Sequence, residues 1–320
     1  MIYSHARLFS YGMKKIYPFL KSGNLTIVLL IFFMPLILFR DILGEKFDYL
    51  LLFFTFTLTV NLVMCLIDHI KNTSVFSLLK IGFLLFHFSL LVIAAGCIIT
   101  YLTYSIGYVE IAEGHRFTDM PQNYTDWHQR FGERDGTGIK IYLENIILEF
   151  WENGQIKEFK NIIIIQDGPK QKEAIINVNG SVKYKGLLIN MARYYGLAPF
   201  FTLITPQGET NGSVTINNDN KQQEFRIPEI GDRAIASYAN VNDKEITVTI
   251  PTDKHLIIKK LKVGDVVEIG TKKLKLVKLV VWNGLTVVRD SGKSITYTGY
   301  VLFIVGLALY YVKKFSTITI

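Results

Sequence analysis

His87 is the residue on which chemistry can be argued. It lies inside Ile81–Tyr101, a run without Asp, Glu, Lys or Arg. An ionisable side chain carried into a bilayer costs free energy, from about 2.5 kcal/mol upward when charged, and usually persists because something binds or pairs with it. Imidazole suits iron and other transition metals. Asn61 sits in an earlier charge-free run. At 1.5 Å per residue, His87 lies about 9 Å from one end of its helix and Asn61 about 18 Å from the opposite face. In a hydrocarbon core about 30 Å thick the two then share a level. The spacing predicts that Asn61 orients a ring nitrogen of His87, the support that metal-bound imidazoles need. The competing reading is a structural histidine bonded to a neighbouring carbonyl.

The remaining candidates are weaker. His115, His128 and His255 are isolated in sequence, and a histidine becomes a ligand or base only with convergent partners. Among them His115 is favoured for cofactor binding, because it closely follows the third apolar run. Cys65 and Cys97 are the two cysteines and read as small packing residues. Without a C-x-x-C or C-x-x-C-H, the chain is neither a thioredoxin-like reductant nor a c-type cytochrome. Phosphate-loop, nucleophile-elbow and H-E-x-x-H patterns are absent too.

These residues need elements to hold them. Half of the chain is apolar, because of four stretches free of acidic and basic residues: Ser22–Phe39, Tyr49–Ile67, Ile81–Val109 and Ser294–Val312. A spanning helix needs roughly 17–25 residues, so the expectation is four transmembrane helices. The first run is short and carries Pro35, which membrane helices tolerate. Its far end, Phe39-Arg40-Asp41-Ile42, has no small-residue cleavage site and reads as an uncut anchor. Gly82, Ser89 and Gly96 recur every seven residues and form a helix-packing seam. His87 points roughly 140–160° away from it.

Basic flanks set the orientation. Arg7, Lys14, Lys15 and Lys21, then Lys71 and Lys80, then Lys313 and Lys314 mark the cytoplasmic side. The expected layout is a cytoplasmic segment 1–21 and a three-helix region 22–104. An extracytoplasmic β domain 105–293, a fourth helix 294–312 and a cytoplasmic tail 313–320 follow. This is a multi-pass protein of the cytoplasmic membrane with both termini inside. Leu102–Lys293 carries 25 basic and 23 acidic residues, a net of +2. That is no nucleic-acid footprint.

The domain between the third and fourth helices reads as all β. GIKIYLENIILEF, WENGQ and FKNIIIIQDG form a strand, a turn and a strand. Shorter candidates include Leu187–Tyr194, Phe200–Ile204, Ser213–Ile216, Glu245–Ile250, Val266–Ile269 and Lys273–Val281. Such regular strands predict a sandwich or open barrel, and about 190 residues are enough to bury a sizeable core. Pro121–Gly138 looks irregular, with Trp127 placed to anchor at a membrane interface.

The order of these pieces resembles the ResB-like (CcsB) family of system II cytochrome c biogenesis proteins. The motifs are Asn61-Leu62 with Cys65, then Gly82-Phe83-Leu84-Leu85-Phe86-His87, then Gly107–Gly114 with its Val109-Glu110-Ile111. Leu148-Glu149-Phe150 with Asn153-Gly154, Asn179–Gly186, and Asp290-Ser291-Gly292 before Tyr297 and Gly299 complete the set. Ser181 and Ser291 stand where the family usually has proline, and Lys80 where some members carry a second histidine.

The resemblance implies a subunit that works with a CcsA/ResC-type haem-handling membrane protein. Together they move or present haem b outside the membrane for attachment to the C-x-x-C-H motifs of apocytochromes c. His87 matches a histidine that serves as an axial haem ligand in fused relatives. Trp127, Trp151 and Trp282 are scattered, so the tryptophan-rich haem-binding segment belongs to a separate partner chain. Thiol reduction comes from another system. On this reading the chain is one part of a holocytochrome c synthase rather than an enzyme by itself. The alternative is a membrane-tethered β-domain scaffold of an envelope complex without haem. A transporter fits less well, because paired intramembrane charges and broken helices are missing.

Overall fold

In the computed structural model, the described residues are 17–39, 42, 44, 47–72, 77–132, 135–228, 233–252 and 255–318, with side chains 72 and 313–318 excepted. The expectations on residues 1–16, on most of the 40–46 connection, on 73–76 and on the Lys313 and Lys314 side chains lie outside them. The chain divides into two units, Met1–Tyr104 with Asp290–Ile320, and Ser105–Arg289.

The helical unit begins with α1, Gly23–Leu38, whose Ser22 side chain accepts from the Asn24 amide. It has 16 residues, about 24 Å at 1.5 Å per residue, and includes Pro35 within the helix. It falls short of spanning length. Helices α2 (Asp48–Asn72), α3 (Leu78–Thr103) and α4 (Lys293–Ile318) each contain a stretch long and apolar enough to cross a membrane. The expected four are thus three helices of spanning length and one shorter apolar helix.

The second unit is all β. Its strands are β1 (Ser105–Ala112), β2 (His115–Thr118), β3 (Asp126–Gln129), β4 (Lys140–Phe150), β5 (Ile156–Asp167), β6 (Lys170–Asn177), β7 (Ser181–Tyr184) and β8 (Leu187–Thr205). There follow β9 (Gly208–Ser213), β10 (Ile216–Asn217), β11 (Gln222–Arg226), β12 (Arg233–Ser237), β13 (Glu245–Pro251), β14 (Leu256–Lys262), β15 (Val266–Ile269) and β16 (Lys272–Arg289). One sheet runs β10-β8-β16-β1-β3, with β7 and β9 also on β8 and β15 on β16. Two four-stranded sheets, β2-β4-β5-β6 and β11-β12-β13-β14, complete the unit.

The buried apolar residues form two cores. Ile141, Leu143, Ile163 and Ile165 of the β2-β4-β5-β6 sheet pack with Ile189 and Leu285. Ala234, Ile246, Val248 and Leu261 of the β11-β14 sheet pack with Leu203 and Leu276. The antiparallel partners β8 and β16 run through both. Nineteen residues at about 3.3 Å each give β8 a length near 60 Å, more than one small sandwich can cover. The long sheet therefore carries a covering sheet over each half. Trp127, partly buried, packs on the first core beside Tyr124.

Candidate functional site in the helical unit

Helix α3 starts at Ser77, whose hydroxyl accepts from the Lys80 amide at 3.2 Å. Gly82, Ser89 and Gly96 are buried, and the seam meets α4. A Cβ on Gly82 would lie 2.5 Å from the Tyr310 nitrogen, and one on Gly96 2.6 Å from that of Thr296. Helix α4 answers with Gly299 and Gly306, where a Cβ would lie 2.9 Å from Ile93 N and 2.5 Å from Phe86 N. Backbones this close leave no room for a side chain.

His87 lies off that seam and is half-buried. Its Nδ1 is 2.9 Å from the Phe83 carbonyl oxygen. A carbonyl can only accept, so Nδ1 carries the proton and Nε2 keeps its lone pair. One nitrogen is satisfied as in a structural histidine, and the other keeps the donor electrons a metal needs. The ring is packed on several sides. Phe83 lies against it at 3.8 Å between centroids and a 33° tilt, and Phe86 meets it edge-on at 5.0 Å. On the Phe83 ring, at 4.0 Å and 36°, lies His69 from the last turn of α2.

Asn61 is placed differently from the expectation. It is 2% exposed, and its Nδ2 donates to the carbonyls of Leu20 at 2.6 Å and Ser22 at 3.2 Å. Its Oδ1 accepts from the Thr26 hydroxyl at 2.6 Å. One and two turns on, Cys65 Sγ donates to Lys21 O at 3.3 Å and Asp68 pairs with Lys21 Nζ at 2.7 Å. This face of α2, at i, i+4 and i+7, ties down the start of α1. The correction has a simple cause: equal depth does not fix azimuth, and Asn61 is turned toward the backbone ahead of α1, where it meets the Leu20 carbonyl and adds to the Thr26 amide that Ser22 O already accepts. Asn61 serves that backbone, not His87.

The other sequence candidates are in the β unit and do not converge. His115 Nδ1 lies 3.2 Å from Glu113 O, and its ring stacks on Phe200 at 4.7 Å. His128 is on β3, opposite Ile106, and the His255 carbonyl accepts from the Thr252 hydroxyl. Among the described residues no three His, Cys, Asp or Glu side chains gather as a metal-binding group.

One polar cluster escaped the sequence reading. Asp119, fully buried, accepts from Tyr124 Oη at 2.7 Å, Thr137 N at 3.1 Å, the Thr137 hydroxyl and Arg289 Nη2. Arg289, the last residue of β16, also lies over the Trp127 ring at 5.7 Å. Burial alone would raise the Asp119 carboxyl, but the Thr137 and Tyr124 donors and the Arg289 charge hold it below the usual carboxylate range. Burial and the neighbouring carboxylate push the Tyr124 hydroxyl up. The cluster ties the end of β16 to the Pro121–Gly138 segment. It acts as a latch.

Comparison with known proteins bears on the helices and the β unit together. The model of the ResB-like family matches residues 77–314, from the start of α3 into α4. A protein of Picosynechococcus sp. named cytochrome c biogenesis protein CcsB is 23% identical over 176 residues, covering 52% of this chain and 37% of that protein. A protein of the same name from Crocosphaera subtropica is 24% identical over 255 residues, 73% of this chain and 52% of that one. The chain thus spans about half or less of the length of these curated relatives.

Proposed function

The chain belongs to the ResB-like family, and from that premise we propose that it is a haem-handling subunit of a cytochrome c maturation complex. The observation that carries the reading is the family match running from the start of α3 across His87 and the β unit into α4. On this reading α2, α3 and α4 cross the cytoplasmic membrane and α1 completes the bundle as a fourth, shorter membrane helix. The β unit stands on the extracytoplasmic side, and both ends of the chain are inside. The partner is a CcsA/ResC-type membrane protein, and the polypeptide substrate is an apocytochrome c.

Haem b is cargo here, and the donor chemistry of His87 fits it. Nδ1 is held by the Phe83 carbonyl, so Nε2 is the nitrogen that would hold the iron, with the opposite ligand supplied by the partner. Axial imidazole both retains haem and influences its redox state. Attachment adds a cysteine S–H across a haem vinyl group: an S–C bond forms, the S–H bond breaks, and the proton goes to the vinyl carbon. No electrons are exchanged, but the substrate thiols must arrive reduced. Cys65 is engaged with Lys21 O and Cys97 lies on α3, so reduction comes from a separate thiol system.

The test is the absorption spectrum of the full chain co-produced with such a partner, for wild type and His87→Ala. A Soret band lost in the variant and restored by added imidazole supports the reading. Equal spectra move haem ligation to the partner. No haem in any combination leaves the β unit as a membrane-tethered scaffold.

A further inference from the structure

Three rings form a column between α2 and α3: His69, Phe83 and His87, with successive centroids 4.0 and 3.8 Å apart and tilts of 36° and 33°. Phe83 and His87 are i and i+4 on one helix face. Phe83 acts twice on the same imidazole, through its carbonyl on Nδ1 and through its phenyl on the ring face. The second aromatic torsion of histidine is broad when nothing packs on the ring. Here Phe86 closes the edge, and His69 covers the far face of Phe83, so the phenyl cannot swing without displacing a ring on the next helix. On α2 the division of labour is sharp. Asp68 reaches Lys21 ahead of α1, while His69 faces α3.

We propose that His69 and Phe83 are positioning residues for His87: the column fixes the plane of its imidazole, and the Phe83 carbonyl fixes its tautomer. The value of this to haem rests on the ligand reading above, but the ordering of the ring does not. Ring orientation and tautomer are what neighbouring groups set for a metal-bound histidine. Phe83→Leu keeps the carbonyl and removes the flat ring. His69→Ala removes the outer ring, and His69→Phe retains a flat one.

Two measurements on the full chain test this. In the free protein in detergent, ¹⁵N-histidine NMR should show the His87 ring, assigned by its loss in His87→Ala, as a single Nδ1–H tautomer. Phe83→Leu and His69→Ala free the plane of the ring, so Nδ1 swings off the retained carbonyl and that signal should average, and His69→Phe should keep it. In the complex co-produced with the partner, haemin titration should show affinity reduced about 2- to 10-fold in Phe83→Leu and His69→Ala, the range an aromatic pair contributes. The reduced α band should broaden, and His69→Phe should resemble wild type. If His87→Ala abolishes haem binding while Phe83→Leu matches wild type in NMR and titration, the column is overturned and the ligand reading survives. If His87→Ala leaves haem unchanged while the NMR still depends on Phe83, the ligand reading fails and the column stands as a ring-ordering device.

Discussion

Asp119→Ala should unlatch the end of β16 from the Pro121–Gly138 segment, and the size of the loss follows from what the carboxylate holds. Four hydrogen bonds end on it, and its ion-pair partner Arg289 has a side chain only 14% exposed. Removing the acid leaves that guanidinium desolvated with Nη2 unpartnered, in addition to an Nε that already lacks a hydrogen bond. Removing one member of a buried pair costs about 3–5 kcal/mol. Tyr124→Phe removes one bond to a charged acceptor and should cost about 1.5–3 kcal/mol. All three tryptophans fall within Ser105–Arg289, so tryptophan fluorescence during urea unfolding of the full chain in detergent reports the β unit alone. The pH dependence has a definite sign. The folded carboxyl is held below its usual range, so its contribution is complete above the unfolded value of about 3.9 and is lost as pH falls through the lower folded value. The gap between wild type and Asp119→Asn should therefore be widest at neutral pH and narrow on acidification. An Asp119→Ala variant within about 0.5 kcal/mol of wild type, the usual range for surface changes, would refute the latch.

Two further outcomes bear on the helices. Gly82→Ala places a Cβ 2.5 Å from the backbone nitrogen of Tyr310, so α3 and α4 must part, at about 1–3 kcal/mol as in other overpacked sites. Gly23→Ala, with nothing within 4 Å of the added carbon, is the matched control, and resistance to thermal aggregation in detergent should fall in the first only. Asn61→Leu removes the side-chain donor from the Leu20 carbonyl, while Ser22 O keeps the Thr26 amide, and should destabilise the helical unit by about 1–3 kcal/mol while leaving any His87-dependent haem spectrum unchanged. A spectrum altered as in His87→Ala would restore Asn61 to the ligand's surroundings.

The parts of the fold that the sequence shows most clearly are those with strict local periodicity. The β4–β5 hairpin follows from alternation and an Asn-Gly turn, and the Gly82, Ser89 and Gly96 seam from a seven-residue repeat. Long-range facts were harder. Gly196 and Pro199 read as a break between two short strands, yet β8 runs through them: Gly196 faces Trp282 and Pro199 faces Leu279 in the β16 register. There Gly196 is needed because a Cβ would collide with the Ile216 carbonyl, which also accepts from Trp282 Nε1 at 3.1 Å. A close approach of this kind looks, in sequence, like a turn. Pro121–Gly138 likewise conceals β3, because its four residues pair with β1, and its anchor is an arginine far along the chain. One long-range partner was legible and overlooked. Gly292, Gly299 and Gly306 repeat every seven residues, the same spacing as the stripe they meet on α3.

That repeat also explains why His87 is available. A helix whose backbone is pressed against α4 along Gly82, Ser89 and Gly96 cannot roll, so the residue roughly half a turn away is held facing α2 and whatever lies beside it. Depth placed Asn61 and His87 together, but a helix gives each depth a full circle of directions, and only packing selects one. The α4 seam sets the direction of α3, and the carbonyls ahead of α1 set that of α2. His69, adjacent in sequence to Asp68 and about 100° around the helix from it, is thereby turned toward Phe83. The glycines of α4 thus act on the ring of His87 without touching it.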